Sequence, residues 1–208
     1  MKIFSLTLLS LLLFASISFG QTADYDPDLA LDFAKDQGKI APNFVLQDEQ
    51  GRQVALSQFK GKTIYLHFWA EWCGVCIGEL PDLKTLSDRT ASDELLIINI
   101  AVDSDKDNWK KLIAEHKIPG INLLDPKKSS DKSRSDAQYG FEVAPAYVLI
   151  SKDGKILGHD VPAPDEDIFV DWVIAQAIKG VPTRLAYERY AKNAKEYTTW
   201  LKENMSRL

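Results

Sequence analysis

The chain has 208 residues, a length that fits one domain of ordinary size with some additional structure. Hydrophobic residues make up 45% of it, which is enough for a buried core and argues against wholesale disorder. The formal net charge is −5, whereas a nucleic-acid-binding protein needs a basic surface. Composition therefore predicts a globular domain and excludes nucleic acid as an expected partner.

The first residues have the pattern of an export signal. Lys2 precedes a nearly continuous apolar run over residues 3–14, and small residues lead up to Gly20. This pattern predicts a signal peptide over 1–20, with cleavage before Gln21. An uncleaved membrane anchor is the alternative, although the apolar stretch is short for a bilayer and contains five Ser and Thr residues. In both cases the folded part is expected outside the cytoplasm, in the periplasm if the cell is Gram-negative. Contact with a membrane is expected only if the segment stays uncleaved.

An acidic segment over residues 21–39 precedes the main domain. Asp26 followed by Pro27 is typical of a helix cap and a first helical position, so a helix is expected to begin there. The apolar side chains of this helix that we expect to pack against the following domain are Leu29, Leu31 and Phe33.

Strand and helix patterns alternate over residues 40–180 and predict a mixed α/β domain. Two nearly continuous apolar runs, 63–70 and 95–102, are typical of strands buried on both faces of a sheet. Turn residues between short alternating segments predict an N-terminal hairpin extension and a closing hairpin. The predicted hairpin strands are 40–46 with 52–56, and 146–151 with 155–158; a short strand is predicted at 121–124, and helices at 76–89, 105–116 and 165–179.

The sequence allows two interpretations for each of two further segments. The polar run 125–138 carries Lys127, Lys128, Lys132 and Arg134, and predicts a solvated loop more than a docking patch for an acidic partner. The extension 181–208 contains an apolar stripe at helical spacing, which predicts one added C-terminal helix from about 183 to 205. This helix either packs on the domain's own surface or mediates dimerisation or partner docking. Its stripe is formed by Tyr190, Ala194, Tyr197, Leu201 and Met205.

The only two cysteines of the sequence, Cys73 and Cys76, lie where a predicted buried strand ends and a helix begins. A pair this close can form a small disulfide ring, but it cannot cross-link distant loops as structural disulfides do. The N-terminus of a helix stabilises a thiolate at Cys73, which makes this sulfur the expected nucleophile. Cys76, one turn deeper, is the expected resolving thiol. The motif therefore predicts a redox-active disulfide.

A zinc site is the competing interpretation of the cysteine pair. Zinc usually takes four ligands, a second cysteine pair is absent, and the histidines His67, His116 and His159 lack the spacing of metal ligands. We therefore expect no metal and no other cofactor.

The segment Phe68–Cys76 (FWAEWCGVC) resembles the active-site segment of thioredoxin. The wider pattern resembles the TlpA/ResA-like branch, whose exported thioredoxin-like members include reductants of cytochrome c maturation. This resemblance implies a thioredoxin fold, with a central mixed sheet flanked by helices, and thiol–disulfide oxidoreductase activity. It covers about residues 40–179 and also rests on Ala41–Leu46, Leu56–Lys62, Glu79–Pro81, Val143–Ile150 and the Asp153-Gly154 turn.

The resemblance also implies how a substrate binds. Pro145 matches the cis-proline of the family, whose bend would bring the backbone of Ala144 and Pro145 against the disulfide. An extended substrate could pair with that backbone. An ordinary trans proline at the start of an edge strand is the alternative. Trp72 would lie beside Cys73 in the apolar rim that contacts a partner.

Two ionisable residues are candidates for proton transfer. Glu79 matches an acidic residue of TlpA/ResA-like reductants and could handle protons near the thiols; an ordinary surface glutamate is the alternative. His67 stands where thioredoxin has a buried Asp, six residues before the first cysteine. It could accept a proton from Cys76, or it could be a core histidine bonded to a backbone carbonyl.

The expected function is that of an extracytoplasmic reductant of exported cysteine-containing proteins, such as apocytochrome c, supplied by a transmembrane electron donor. Val75 replaces the usual proline between the cysteines and no histidine lies there, which favours a reductant over a strong oxidant. An exported oxidase or isomerase is the alternative, because the reduction potential decides the direction. A peroxiredoxin-like peroxidase would need Thr where Ala70 stands. A non-catalytic binding module has no use for a reactive cysteine pair.

Overall fold

One mixed β-sheet organises the computed structural model, which describes residues 25–128 and 130–204. Its strand order is β2-β1-β5-β4-β3-β6-β7; β5, β4 and β3 run parallel and the other neighbours pair antiparallel. The N-terminal hairpin extends this sheet, as predicted, because β1 pairs with β5. The strands are β1 (Val45–Asp48), β2 (Gln53–Ala55), β3 (Thr63–Trp69), β4 (Leu95–Val102), β5 (Ile121–Asp125), β6 (Ala146–Ile150) and β7 (Ile156–His159).

Helices connect and cover these strands, which confirms the α/β class. No helix in the described ranges is both long and apolar enough to span a bilayer. The predicted signal peptide, 1–20, lies outside the described residues. The helices are α1 (Pro27–Ala34), α2 (Gly74–Gly78), α3 (Leu80–Arg89), α4 (Lys106–His116), α5 (Ser135–Gln138), α6 (Asp167–Ile178), α7 (Thr183–Lys192) and α8 (Ala194–Asn204).

The central strand β3 is buried at every position, because both faces of the sheet are covered. Tyr65 and Trp69 face a core that includes apolar side chains of α3, α4 and α6. Leu66 and Phe68 face a second core, closed by apolar residues between positions 41 and 56. The continuous apolar run of the sequence follows from this double burial.

The N-terminal helix α1 begins at the predicted cap. The Asp26 carboxylate accepts hydrogen bonds from the backbone N–H groups of residues 28 and 29, at 2.9 and 3.4 Å. Phe33 packs edge-on against Tyr187 of α7 and is buried with Ala30, three residues earlier on the same face. Leu29 and Leu31 are exposed, so the expectation that they pack on the domain was wrong.

The helix that follows the cysteine motif is broken. The sequence predicts one helix over 76–89, but α2 begins at Gly74 and ends at Gly78, and α3 starts at Leu80. Pro81 lies in the first turn of α3, where it needs no N–H partner, and it cannot continue the hydrogen-bond ladder of α2. Glu79 therefore lies at the junction of two short helices.

The polar run 125–138 is not a solvated loop throughout. Arg134 and Asp136 are buried, and the guanidinium Nε and Nη2 bind the two carboxylate oxygens at 2.5 and 2.7 Å. Asp125 accepts the backbone N–H of Ser135 at 2.7 Å. The prediction failed here because charges that bind one another in this bidentate geometry can be buried.

The C-terminal extension contains two helices where the sequence predicts one. Asn193 has non-helical dihedral angles, and its side-chain oxygen accepts the backbone N–H of Glu196 at 3.3 Å, which ends α7 and caps α8. Both helices pack on the domain: Trp172 of α6 contacts Tyr197 and Trp200 edge-to-face, with ring centroids 5.7 and 5.5 Å apart. The predicted packing of Tyr197 on the domain's own surface is confirmed; Met205 lies outside the described residues.

Candidate active site

Cys73 and Cys76 form a disulfide at the point where β3 passes into α2. Cys73 caps the helix, and the backbone N–H of Cys76 donates to the Cys73 sulfur at 3.2 Å. Cys73 is 8% exposed, whereas Cys76 is completely buried. The expected shielding of Cys76 is thus confirmed, and an incoming thiol can reach only the sulfur of Cys73.

The Ala144–Pro145 segment lies against this disulfide, as the family resemblance implied. The peptide bond between the two residues is cis. The carbonyl oxygen of Ala144 lies 3.7 Å from the Cys73 sulfur. Since Pro145 directly precedes β6, its bend brings backbone of that strand to the exposed side of the disulfide.

Exposed apolar side chains lie next to Cys73 in the sequence and next to the Ala144–Pro145 segment. Trp72 and Val75 are each 63% exposed and Val143 is 74% exposed. The Trp72 indole is held in place, because its Nε1 donates to the carbonyl oxygen of Asp103 at 3.0 Å. Exposed apolar groups near a reactive sulfur are typical of a protein-binding surface, so contact of Trp72 with a partner stays a prediction.

Glu79 is not an ordinary surface glutamate. It is half-buried at the α2–α3 junction, and the hydroxyl of Tyr147 in β6 donates to its Oε2. Burial raises the pKa of Glu79, the Tyr147 bond lowers it, and the neighbouring charges of Asp165, Asp82 and Glu166 raise it again. A carboxyl with a raised pKa can carry a proton nearer to neutral pH than a free glutamate can.

His67 is a core histidine with a partner that the sequence did not predict. Its Nδ1 lies 3.1 Å from the Oδ1 of Asn99, not at a backbone carbonyl, and Nε2 has no hydrogen-bond partner in the described ranges. Asn99 donates its own amide to Pro119 O and to Asn122, so its Oδ1 is the acceptor and His67 Nδ1 carries the proton. Burial lowers the pKa of His67 to about 4, which makes it a weak acceptor for a thiol proton at neutral pH.

Residues 36–173 match the Redoxin family model. The chain belongs to the Redoxin family. This Redoxin chain is 30% identical, over 155 residues, to the thiol-disulfide oxidoreductase ResA of Bacillus thuringiensis subsp. konkukian, covering 74% of the chain and 76% of that relative. The matches show that the protein is a thiol–disulfide oxidoreductase of the TlpA/ResA-like thioredoxin family.

Solved structures similar to this Redoxin chain have the same fold. The thioredoxin domain of a thiol-disulfide oxidoreductase from Bacteroides vulgatus is 27% identical, with a TM-score of 0.57 over 65% of this chain and 95% of that one. A thiol-disulfide oxidoreductase from Bacteroides fragilis is also 27% identical, with a TM-score of 0.55 over 60% of this chain and 92% of that one. The predicted thioredoxin fold is therefore confirmed.

The Redoxin fold brings Cys73, Cys76, Ala144 and Pro145 together at one end of the central strands. Tyr147 is the residue of this site that sequence reasoning missed. It lies two positions after Pro145 in a strand whose other residues are alanine and aliphatic residues. This single polar-tipped side chain was the signal that could have marked it as a site residue. Among the described residues, no cluster of three or more His, Cys, Asp or Glu side chains could hold a metal ion.

Proposed function

We propose that this oxidoreductase works outside the cytoplasm as a reductant of exported cysteine-containing proteins, including the haem-binding cysteines of apocytochrome c. The Cys73 thiolate attacks a substrate disulfide and forms a mixed disulfide, releasing one substrate thiol. Cys76 then attacks the Cys73 sulfur, releases the second substrate thiol and leaves the enzyme oxidised. A transmembrane dithiol donor returns the two electrons. This electron transfer regenerates the reduced enzyme, so that one molecule can act on many substrates.

The unequal exposure of the two sulfurs carries this proposal. The Cys73 sulfur, the more accessible of the two, lies beside the Ala144 carbonyl, where the backbone of an extended substrate can pair. The buried Cys76 can react only within the molecule. This difference supports attack by Cys73 and resolution by Cys76.

The charges near the site favour the reducing direction. Asp82, Asp165 and Glu166 act on Glu79, three residues beyond Cys76, and all of them are acidic. Negative charge near the motif disfavours a thiolate and so disfavours the reduced form. A strong oxidant such as DsbA shows the opposite effect, because its reduced form is stabilised.

The reduction potential of the Cys73–Cys76 pair tests the direction. We expect a value near or below roughly −220 mV when the purified protein is equilibrated with glutathione or dithiothreitol buffers, as for thioredoxin and glutaredoxins. A value of about −120 to −180 mV would place it with DsbA and protein disulfide isomerase, and would replace the reductant by an exported oxidase or isomerase.

The location is tested separately by the N-terminus of the protein recovered from producing cells. The charged, apolar and small-residue pattern of 1–20 supports export, so we expect a mature chain that starts at Gln21 in an extracytoplasmic fraction. A membrane-bound chain that keeps Met1 would support the uncleaved anchor. A cytoplasmic chain that keeps Met1 would contradict export.

A further inference from the structure

A row of polar side chains crosses the sheet beneath the disulfide. The residues Tyr147, His67, Asn99 and Asn122 stand directly opposite one another on the adjacent strands β6, β3, β4 and β5. Hydrogen bonds join the last three: Asn99 donates to Asn122 Oδ1 at 3.2 Å, and Asn122 donates to the carbonyl oxygen of Ile118 at 3.2 Å. The row is thus anchored at its β5 end.

The His67 ring transmits this anchoring to Tyr147. It lies flat against the phenol ring, with centroids 5.0 Å apart and planes 11° from parallel. The bond from Nδ1 to Asn99 fixes the orientation of the imidazole, and only 1% of the residue is exposed. Tyr147 therefore has a rigid, closely packed support on one side.

The hydroxyl end of Tyr147 reaches the active-site helix. It donates to Glu79 at the α2–α3 junction, across 68 positions of sequence. Because Pro145 lies two residues before Tyr147 in the chain, one side chain connects the strand that would receive a substrate to the helix that carries the disulfide.

We propose that Tyr147 is a positioning residue of this redox site: its hydroxyl holds the Glu79 carboxylate beside the disulfide helix, and the stacked His67 ring holds Tyr147. The proposal rests on the proposed oxidoreductase function, and it takes up the proton-handling role that the family resemblance implies for Glu79. It assigns His67 a structural task in place of the proton transfer that the sequence left open.

The charged and titratable groups around Glu79 define what this bond does. Asp82 on α3 and Asp165 and Glu166 before α6 act on the carboxyl, and the phenols of Tyr65 and Tyr147 approach from β3 and β6. Burial and the three acidic charges favour the protonated form of Glu79, whereas the Tyr147 bond favours the carboxylate. Removing the bond should therefore raise the pKa of Glu79.

The substitution Tyr147→Phe tests the bond, because it removes the hydroxyl and keeps the ring on His67. The measurement is a carbon-13 titration of the Glu79 carboxyl in the full chain with the disulfide formed. At a fixed pH we expect the ratio of ionised to protonated Glu79 to fall about tenfold, the effect of losing a hydrogen bond to a charged group. Tyr139→Phe is the matched control: it removes a hydroxyl bonded to Pro42 O in the other core, and Glu79 should titrate as in the wild type.

Two substitutions of His67 test the support. His67→Phe keeps a flat ring against Tyr147 but loses the Asn99 bond, so folding stability should fall while the titration of Glu79 stays close to wild type. His67→Ala removes the ring, so the titration should move in the direction seen for Tyr147→Phe. The double variant of His67→Ala and Tyr147→Phe should add no further change.

An unchanged Glu79 titration in Tyr147→Phe would overturn the proposal. If the Glu79 titration changed equally in His67→Phe and His67→Ala, ring stacking would have no role, and a general loss of packing would explain both changes. These results are independent of the reduction potential: an oxidising potential would remove the reductant assignment, and the titrations would still report whether Tyr147 positions Glu79.

Discussion

At the scale of single residues, burial of charge in this protein depends on a fitted partner. Arg134 and Asp136 are two positions apart in a mostly polar run whose residues 130–133 are exposed, yet both are inside the molecule. Their two parallel hydrogen bonds give each buried charged group a partner in place of the water it has lost. The carboxylate of Asp136 also accepts the backbone N–H of Ala137 at 2.9 Å, within α5.

We expect Arg134→Gln to lower the free energy of unfolding by about 3 kcal/mol, because it leaves the Asp136 charge buried without its cation. Urea denaturation followed by circular dichroism measures this change. Lys132→Gln is the control, since Lys132 is an exposed cation of the same run and its loss should cost less than about 0.5 kcal/mol. Equal effects of the two substitutions would mean that the ion pair is not what holds this segment.

The redox residues could be predicted from the sequence because their signal is local. Cys73 and Cys76 are close in the chain, and Pro145 stands in a short pattern of its own. The contact of Glu79 with Tyr147 could not be predicted, because it depends on how β6 lies against the α2–α3 junction. The partner of His67 was missed for the same reason, since Asn99 faces it only through the register of β3 and β4.

At the scale of elements, β7 and the C-terminal extension can pack closely because position 158 is a glycine. A Cβ atom at Gly158 would lie 2.0 Å from Thr183 Oγ1 and 2.8 Å from a methyl carbon of Val161. Thr183 is the first residue of α7, so the start of this helix sits directly on the strand. Glycine is needed here for close approach, not for an unusual backbone angle.

We expect Gly158→Ala to destabilise the protein by about 3 kcal/mol, because α7 must move away from β7. Thr183→Ala in the same chain should recover part of this loss, since it removes the nearest atom, and Thr183 Oγ1 makes no hydrogen bond within the described residues. Thermal unfolding of the variants measures both effects. Gly78→Ala is the control, as a Cβ there meets nothing within 4 Å, and a loss as large as that of Gly158→Ala would refute the steric explanation.

The elements were predictable where one pattern extends over many residues. The apolar runs gave β3 and β4 almost to the residue, and the Asp153-Gly154 turn gave the closing hairpin. The interruptions were missed. Pro81 interrupts a helix that the apolar spacing would continue, and Asn193 does the same in the extension. In both cases the helical spacing on either side predicts one continuous helix, and a single residue is too weak a signal to show the break.

At the scale of the whole molecule, the predicted boundary between the domain, 40–180, and the extension, 181–208, does not divide the packing. Ala186 of α7 belongs to the same core as Cys76 and Trp172, and its carbonyl accepts the Trp172 indole N–H at 3.0 Å. Tyr187 joins α7 to α1 from the acidic segment. Capping residues and apolar spacing could predict that these segments are helical, but not that α7 shares a core with the redox site or that α1 packs on α7.

The polar row beneath the disulfide has a consequence for how the strands find their partners. Strands buried on both faces lack the inward–outward alternation that fixes register elsewhere, so β3 and β4 could slide with little loss of apolar contact. A slip of one residue would place Asn99 opposite Leu66 or Phe68 and turn its amide into the other core. That amide would lose its partners at a cost of about 1–3 kcal/mol. The row that supports the active site thus also specifies which residues of the central strands meet.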